Sequence, residues 1–542
     1  MRRICLFCAA YFAACIYGMS SDVHTGADLL KAAEEQTGLA VVSHAGGVSN
    51  LPPVMVCEGP FTDDFSGSGW AGYRLPAWIQ DAKFGVFLHW GPASVEGHYG
   101  WPFSAMYQQG RNSKTVEKYG HPSEFGYKDL IPLWTAKDWD PDAMTAFFKK
   151  VGFKYVVPVA RHHDNFDMWD STYQPWNAKR MGAKRDVIGE FKKAADKYGL
   201  RFGVSDHPEQ TGVFKACRGA DKEGAKAGVK YDGWMTRADG VGKWWEGEDP
   251  QRLYPSVDWP TVEWVHEWYL RTQELIDRYG PDYFYFDGGI PFGETGKKLV
   301  AHYFNSGLKR HEGSNEVVLS LKRIAPQENI VLGYEIGKSD KILPYHWQSD
   351  TTMVGPWFHS PGGILYTPER LIWNLVDIVS KNGSMLLNVA LTPEGIIPDD
   401  QRACLEGAGE WLAQNGEAVY GTRPWKIFGE GPTVVKDGPG GSAWQSFTAR
   451  DIRYTLKDGK LYAIVLGIPE GGEINILTLS SPLGGVGLLG SGVVSVELLG
   501  SEENLIWEQG IGNHCGLKIK LPAKLPNNIA PVFRVSCKDP VM

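Results

Sequence analysis

A (β/α) barrel followed by an antiparallel β-sandwich is the fold class this sequence predicts, and three observations carry it. First, short apolar runs recur at Phe84–Leu88, Tyr155–Val159, Leu200–Val204, Tyr283–Phe286, Ile330–Tyr334 and Met385–Ala390. Runs of that length suit parallel strands covered on both faces. Second, helical patterns lie between them at Asp140–Val151, Val187–Tyr198, Trp264–Tyr279 and Pro368–Lys381. Strand and helix in alternation build a parallel sheet, and the number of units favours a closed barrel over an open one. Third, the texture changes near residue 413 to short alternating segments such as Lys460–Val465, separated by turn pairs such as Asp458-Gly459. That pattern predicts an antiparallel sandwich.

Taken in chain order, Arg2 and Arg3 precede an apolar run from Ile4 to Ile16, then Gly18 and Ser20. The run is too short to span a bilayer and reads as an export signal over 1–20, for a secreted or periplasmic protein. Phe12-Ala13-Ala14-Cys15 is similar to a lipoprotein box, so a lipid anchor at Cys15 stays open. Residues 21–72 are rich in Gly, Ser and Pro and read as a leader, with Ala27–Gln36 its one helical stretch. The barrel is expected over 73–412, its first helix starting at Asp138 or Asp140 before Pro141. The sandwich is expected over 413–542.

Composition narrows the function. The 542 residues are 43% hydrophobic and 22% charged, with a net charge of −8. That balance supplies no basic field for a phosphate backbone, so nucleic acid is not an expected partner. No segment after the signal suits a membrane span. The 21 Trp and 23 Tyr suit packing, and they also suit sugar faces. Of eight cysteines, Cys57, Cys217, Cys404, Cys515 and Cys537 follow the signal, without C-x-x-C spacing, and free thiols are expected.

Polar residues stand where a barrel places its chemistry. Four strands run into His89-Trp90, into Arg161-His162-His163-Asp164, into Asp206-His207 and into Asp287-Gly288. Loops at the C-terminal ends of barrel strands converge on the axis, so these residues mark a site.

The sequence resembles the α-L-fucosidases, family 29 of the glycoside hydrolases. The resemblance rests on Lys83-Phe84-Gly85-Val86-Phe87-Leu88-His89-Trp90-Gly91-Pro92, Arg161–Phe166, Trp169-Asp170-Ser171, Lys184-Arg185-Asp186 and Phe286-Asp287-Gly288. It continues through Asp377–Gly383, Leu386–Val389 and Ala418–Trp425. It implies a retaining exo-glycosidase with a carboxylate nucleophile and a separate acid/base, acting on an oligo- or polysaccharide with terminal L-fucose. Asp287 matches the nucleophile. Glu335 matches one position of the acid/base, and Asp350 lies near the other, where relatives carry Glu immediately after Trp and this chain has Gln348. His89, His162 and His163 match residues that hydrogen-bond sugar hydroxyls; the competing readings are a metal site and buried structural imidazoles. No cofactor is implied.

Two departures bear on substrate. Relatives have a Glu-Trp pair after the first strand, whereas Trp101 here follows Gly100, leaving Glu96 or His98 to replace the carboxylate. Relatives also have Trp where this chain has Tyr285, whose hydroxyl could admit L-galactose, as in an α-L-galactosidase acting on algal-type galactans, sulfated ones among them. A catalytically inactive sugar-binding relative is a further reading. The expected substrate contacts are thus His89, Trp90, His162, His163, Trp101, Tyr285 and Glu96. The long segment from Asp206 to Asp249, with Lys215, Arg218, Lys222, Lys226 and Lys230, is a candidate leaving-group subsite.

Overall fold

The structure is a computed structural model. It describes residues 51–64, 72–99, 102–322, 329–360, 362, 364–481, 488–511 and 516–542. The expected signal, Cys15, the Ala27–Gln36 stretch, Trp101 and Cys515 lie outside the described residues.

Eight parallel strands close into a barrel in chain order: β1 (Phe84–Leu88), β2 (Tyr155–Arg161), β3 (Arg201–Asp206), β4 (Tyr283–Phe286), β5 (Val318–Leu321), β6 (Val331–Glu335), β7 (Trp347–Thr352) and β8 (Gly383–Asn388). Closure comes from β1, which pairs with β2 through Gly85↔Tyr155 and with β8 through Phe84↔Met385. Gly85 is required there, because a Cβ would lie 2.2 Å from the Tyr155 ring.

The helices packed outside are α1 (Pro141–Val151), α2 (Val187–Tyr198), α3 (Val262–Tyr279), α4 (Gly293–Arg310), α5 (Pro368–Ser380) and α6 (Asp399–Asn415). Four of their starts are set by side chains that accept from otherwise unpaired backbone N–H groups: Asp140 from Ala143, Asp186 from Gly189, Thr261 from Trp264 and Thr367 from Arg370. Of the two starts offered for the first helix, Asp140 is the cap.

The sequence missed β5, β7, α4 and α6. Strand β5 is only four residues long. Strand β7 reads Trp-Gln-Ser-Asp-Thr-Thr, a polar sequence that no search for apolar runs would find. Part of its polarity is met inside the barrel, where the hydroxyls of Tyr155 and Tyr283 donate to the Gln348 side-chain oxygen at 3.2 and 2.9 Å. Glycines at 293, 296 and 307 diluted the helical signal of α4.

Beyond α6 follow β9 (Arg423–Glu430), β10 (Ile452–Lys457), β11 (Lys460–Val465), β12 (Glu473–Ile476), β13 (Val493–Leu498), β14 (Ile506–Gln509), β15 (Leu517–Lys520) and β16 (Val532–Cys537). They form a five-stranded antiparallel sheet, β13-β16-β11-β10-β9, and a three-stranded one, β12-β15-β14. Leu461, Ile476, Leu517, Ile519 and Phe533 contribute to the core of this region. Asp377 of α5 ties barrel to sandwich through Arg453 of β10, at 2.7 Å. Cys57, Cys217, Cys404 and Cys537 are free. Among the described residues, no helix is long and apolar enough to cross a membrane.

Candidate active site

All eight barrel strands contribute to one cluster at their C-terminal ends. His89 follows β1, His162 and His163 follow β2, and His207 follows β3. Asp287 follows β4 and Lys322 follows β5, Glu335 ends β6, Asp350 lies in β7 and Asn388 ends β8.

Asp287 is 9% exposed and is held from two sides. Its Oδ2 faces His163 Nε2 at 3.3 Å and His207 Nδ1 at 3.5 Å. Its Oδ1 meets the Lys322 ammonium. Burial alone would raise the Asp287 pKa, but Lys322 and His207 outweigh it and hold the carboxyl well below the usual range. Asp287 is therefore an anion poised at the edge of a pocket. The backbone beyond it is fixed by Glu209, which accepts from Gly289 N at 3.1 Å. A Cβ at Gly288 would fall 1.6 Å from the Glu209 carboxylate, so a larger residue there would displace Glu209 from this contact.

Lys322 was not singled out from sequence, because a lone lysine on a four-residue strand gives no pattern. It lies within 3.1 Å of Glu335 Oε2 and 3.8 Å of Asp350 Oδ2. Burial would lower its pKa, but Asp287, Glu335 and Asp350 more than compensate and keep it charged. One ammonium thus bridges Asp287 and Glu335, so the two carboxylates stand close to each other.

The two acid/base candidates differ in access. The Glu335 side chain is 40% exposed, at the mouth of the pocket. Asp350 is wholly buried, behind Tyr285, whose hydroxyl donates to Asp350 Oδ2 at 3.1 Å. Burial pushes the Asp350 carboxyl up to about 7, against the pull of Lys322. A proton donor must first reach the oxygen it protonates, and only then does its pKa matter. Geometry favours Glu335.

His89 is oriented by Asn388, whose Oδ1 lies 2.9 Å from Nδ1 and accepts from the His89 backbone N–H at 2.8 Å. Burial drives His89 and His162 well below 6.5, so both are neutral and able to donate or accept. Trp357 and Phe358, in the loop after β7, pack on His89 at ring separations of 4.8 and 5.6 Å, and Phe358 also packs on His162 at 5.0 Å. Neither carried a sequence signal beyond being aromatic in a loop.

Three sequence expectations fare differently. Trp90 is corrected to a packing residue: its ring lies against Trp134 and Trp139, and its indole N–H donates to Thr392 O at 2.8 Å. Glu96 is buried and faces Lys118 at 3.9 Å. Tyr285 is in the cluster, with its hydroxyl directed at Asp350. In the long segment after β3, Lys215 and Arg218 donate to backbone carbonyls and Lys226 pairs with Glu124. Those cations are engaged within the protein.

Comparisons with known proteins follow the same outline. A family model described as alpha-L-fucosidase matches residues 68–417, and one described as alpha-L-fucosidase C-terminal domain matches residues 445–536. Tissue alpha-L-fucosidase of Bos taurus is 28% identical over 500 residues, covering 85% of this chain and 88% of its own. Plasma alpha-L-fucosidase of Homo sapiens is 28% identical, with 83% and 86% covered. The crystal structure of Thermotoga maritima alpha-fucosidase in complex with fucose superposes with a TM-score of 0.64 at 28% identity, covering 85% of this chain and 97% of that one.

Proposed function

Because the chain belongs to the α-L-fucosidase family, glycoside hydrolase family 29, we propose that it is an exported, retaining exo-glycosidase that releases terminal α-L-fucose from glycans. The observation that carries this reading is the pair of carboxylates, Asp287 and Glu335, joined by the Lys322 ammonium. Retention uses two carboxyl groups about 5–5.5 Å apart, whereas inversion needs them wider to admit a water. A pair that shares one ammonium fits the shorter spacing.

In the first step Asp287 attacks the anomeric carbon while the Glu335 carboxylic acid protonates the glycosidic oxygen, and the aglycone leaves. In the second, the Glu335 carboxylate takes a proton from water, whose oxygen attacks the same carbon and frees Asp287. Lys322 stabilises the Asp287 anion before the first step and again as it departs in the second. His89 and His162 meet the sugar hydroxyls, with Trp357 and Phe358 as walls, while His163, whose two ring nitrogens face Asp287 and the His207 carbonyl, holds the nucleophile in place. The 1–20 segment directs export.

The α-L-galactosidase reading has less support. Tyr285 is fully buried and its hydroxyl donates toward Asp350 at 3.1 Å, which leaves its oxygen to accept but no proton to offer a C6 hydroxyl. Release of 4-nitrophenol from its α-L-fucoside and α-L-galactoside by the protein lacking residues 1–20 tests the proposal. Preference for the fucoside supports it. Preference for the galactoside transfers the site to the other hydrolase. Sugar binding without turnover of either, unchanged in Asp287→Ala, makes the protein a binder.

A further inference from the structure

The pocket floor is rich in imidazole. His89, His162, His163 and His207 are all buried there. Ring centroids lie 5.4 Å apart for His89 and His162, 5.3 Å for His89 and His207, and 4.7 Å for His162 and His207. One ring nitrogen from each of these three lies within 4.8 Å of the others. His163, His207 and Asp287 form a second such set, sharing His207.

Two of the three rings, His89 and His207, are fixed from behind, as is the neighbouring His163. Asn388 Oδ1 lies 2.9 Å from His89 Nδ1, the His207 carbonyl lies 2.8 Å from His163 Nδ1, and the Ser205 hydroxyl contacts His207 Nε2. An outer partner on one nitrogen, leaving the other directed inward, is how proteins hold metal-ligating imidazoles. Nδ1 of His207 faces Asp287 Oδ2 at 3.5 Å, and Nδ1 of His162 is enclosed and has no hydrogen-bond partner among the described residues. Buried polar atoms seldom stay in that state.

We propose that His89, His162 and His207 form a binding site for one borderline transition ion, Zn2+ or Cu2+, in the sugar-free protein, with Asp287 in reach as a further ligand, and that ion and sugar exclude each other. Imidazole nitrogens favour these ions over magnesium or calcium, which take oxygen. Zinc–nitrogen bonds of about 2.0–2.1 Å would draw the three nitrogens to within about 4 Å of one another, so the rings close slightly around the ion. The ion sits on the Oδ2 side of Asp287, opposite Lys322 on Oδ1, and neutralises that carboxylate. The exclusion rests on the reading that this pocket takes L-fucose; the metal site itself does not.

Equilibrium dialysis of the purified protein against zinc chloride is expected to give one zinc per chain. Its X-ray absorption should show a nitrogen-dominated first shell. His89→Ala and His162→Ala each weaken uptake at least tenfold, while His266→Ala, on the outer face of α3, leaves it unchanged. Excess L-fucose releases the ion, and zinc raises KM for the aryl fucoside without lowering kcat, reversibly with EDTA. Failure of the protein to take up zinc in tenfold excess overturns the site, as does an oxygen-only shell or uptake indifferent to both alanine variants. The absorption spectrum of the parent protein decides the matter even where a variant fails to fold. Zinc bound through nitrogen but not displaced by L-fucose overturns the exclusion alone. Absence of fucoside turnover bears on the hydrolase reading and leaves the zinc measurements decisive.

Discussion

Asp287 and Asp377 are both buried carboxylates surrounded by cations, one at the mouth of the barrel and one between barrel and sandwich. Asp377 meets Lys381 at 2.9 Å, Arg453 at 2.7 Å and Lys338 at 3.4 Å, and all four residues are sealed from solvent. The rings of Phe428 and Phe447 cover the cations, with Lys381 4.7 Å from the first centroid and Lys338 4.9 Å from the second. Burial would raise the Asp377 pKa, but Lys381, Lys338 and Arg453 hold it well below the usual range. Both aspartates are thus locked as anions by the same physics. The difference lies in what faces them: Asp377 is closed in by its cations, whereas Asp287 keeps an edge to the pocket and has imidazoles and the half-exposed Glu335 beside it. Charge stabilisation makes an anchor where the anion is sealed and a nucleophile where one side is left open.

The sharpest way to break that comparison is to remove each carboxylate. Asp287→Ala is expected to lower kcat/KM on 4-nitrophenyl α-L-fucoside by on the order of 10^4-fold or more, the scale on which nucleophile loss acts. The variant should lose less stability than one at Asp377, because Lys322 keeps Glu335 and Asp350 as counter-charges. Turnover within tenfold of the parent would remove Asp287 from the chemistry.

Asp377→Asn should do the reverse. Three buried cations would lose their counter-charge, a cost of about 3–5 kcal/mol. Scanning calorimetry should show a markedly lower melting temperature, while kcat/KM of the folded protein stays near the parent value. A melting temperature equal to the parent's would show that the cluster is no anchor.

Much of this contrast was legible in the sequence, and the rest was hidden for physical reasons. The strand ends that carry His89, His162, His163 and Asp287 are apolar runs followed at once by polar residues, so position and chemistry announce themselves together. Lys322 follows a strand too short to read as one, and Asp350, though named as an acid/base candidate, lies in a strand too polar to read as one; the contact between them depends on closure of the barrel. Asp377 and Lys381 stood in a matched stretch, but Arg453 reaches them only through docking of the second region, which no local pattern records. Trp90 shows the opposite error: adjacency to His89 suggested a sugar wall, yet alternation along the chain turns its ring to Trp134 and Trp139.

Lys322→Met sharpens the comparison by removing the cation on the open side. Loss of a preorganised charge at a reacting centre typically costs about 10^2-fold or more, and that loss is expected in kcat/KM. Asp287 must be deprotonated to attack, and Lys322 holds its pKa down. The acidic limb of the kcat/KM profile should therefore move to higher pH, by about 1–3 units. A merely structural lysine would lower activity without moving that limb.

The smallest expected effect belongs to Asp350, the carboxyl that lies between the two extremes. It is buried like Asp377 but is supported, among the described residues, by Lys322 at 3.8 Å and the Tyr285 hydroxyl, and burial pushes it up to about 7. Between its ordinary value of 3.8 and about 7 the native state binds more protons at this group than the unfolded chain does. Its contribution to stability therefore falls as pH rises through that window. Asp350→Asn cannot titrate, so its stability should decline less between pH 4 and 7 and exceed the parent's near pH 7 by on the order of 1–2 kcal/mol, less than the full shift implies because Lys322 loses a partner. Denaturant melts at several pH values measure this. Turnover should change by less than about tenfold, since Glu335 and not Asp350 reaches the glycosidic oxygen. If instead kcat/KM falls by about 10^2–10^4-fold, the scale of a lost general acid, and added azide restores it, the proton comes from β7 rather than β6.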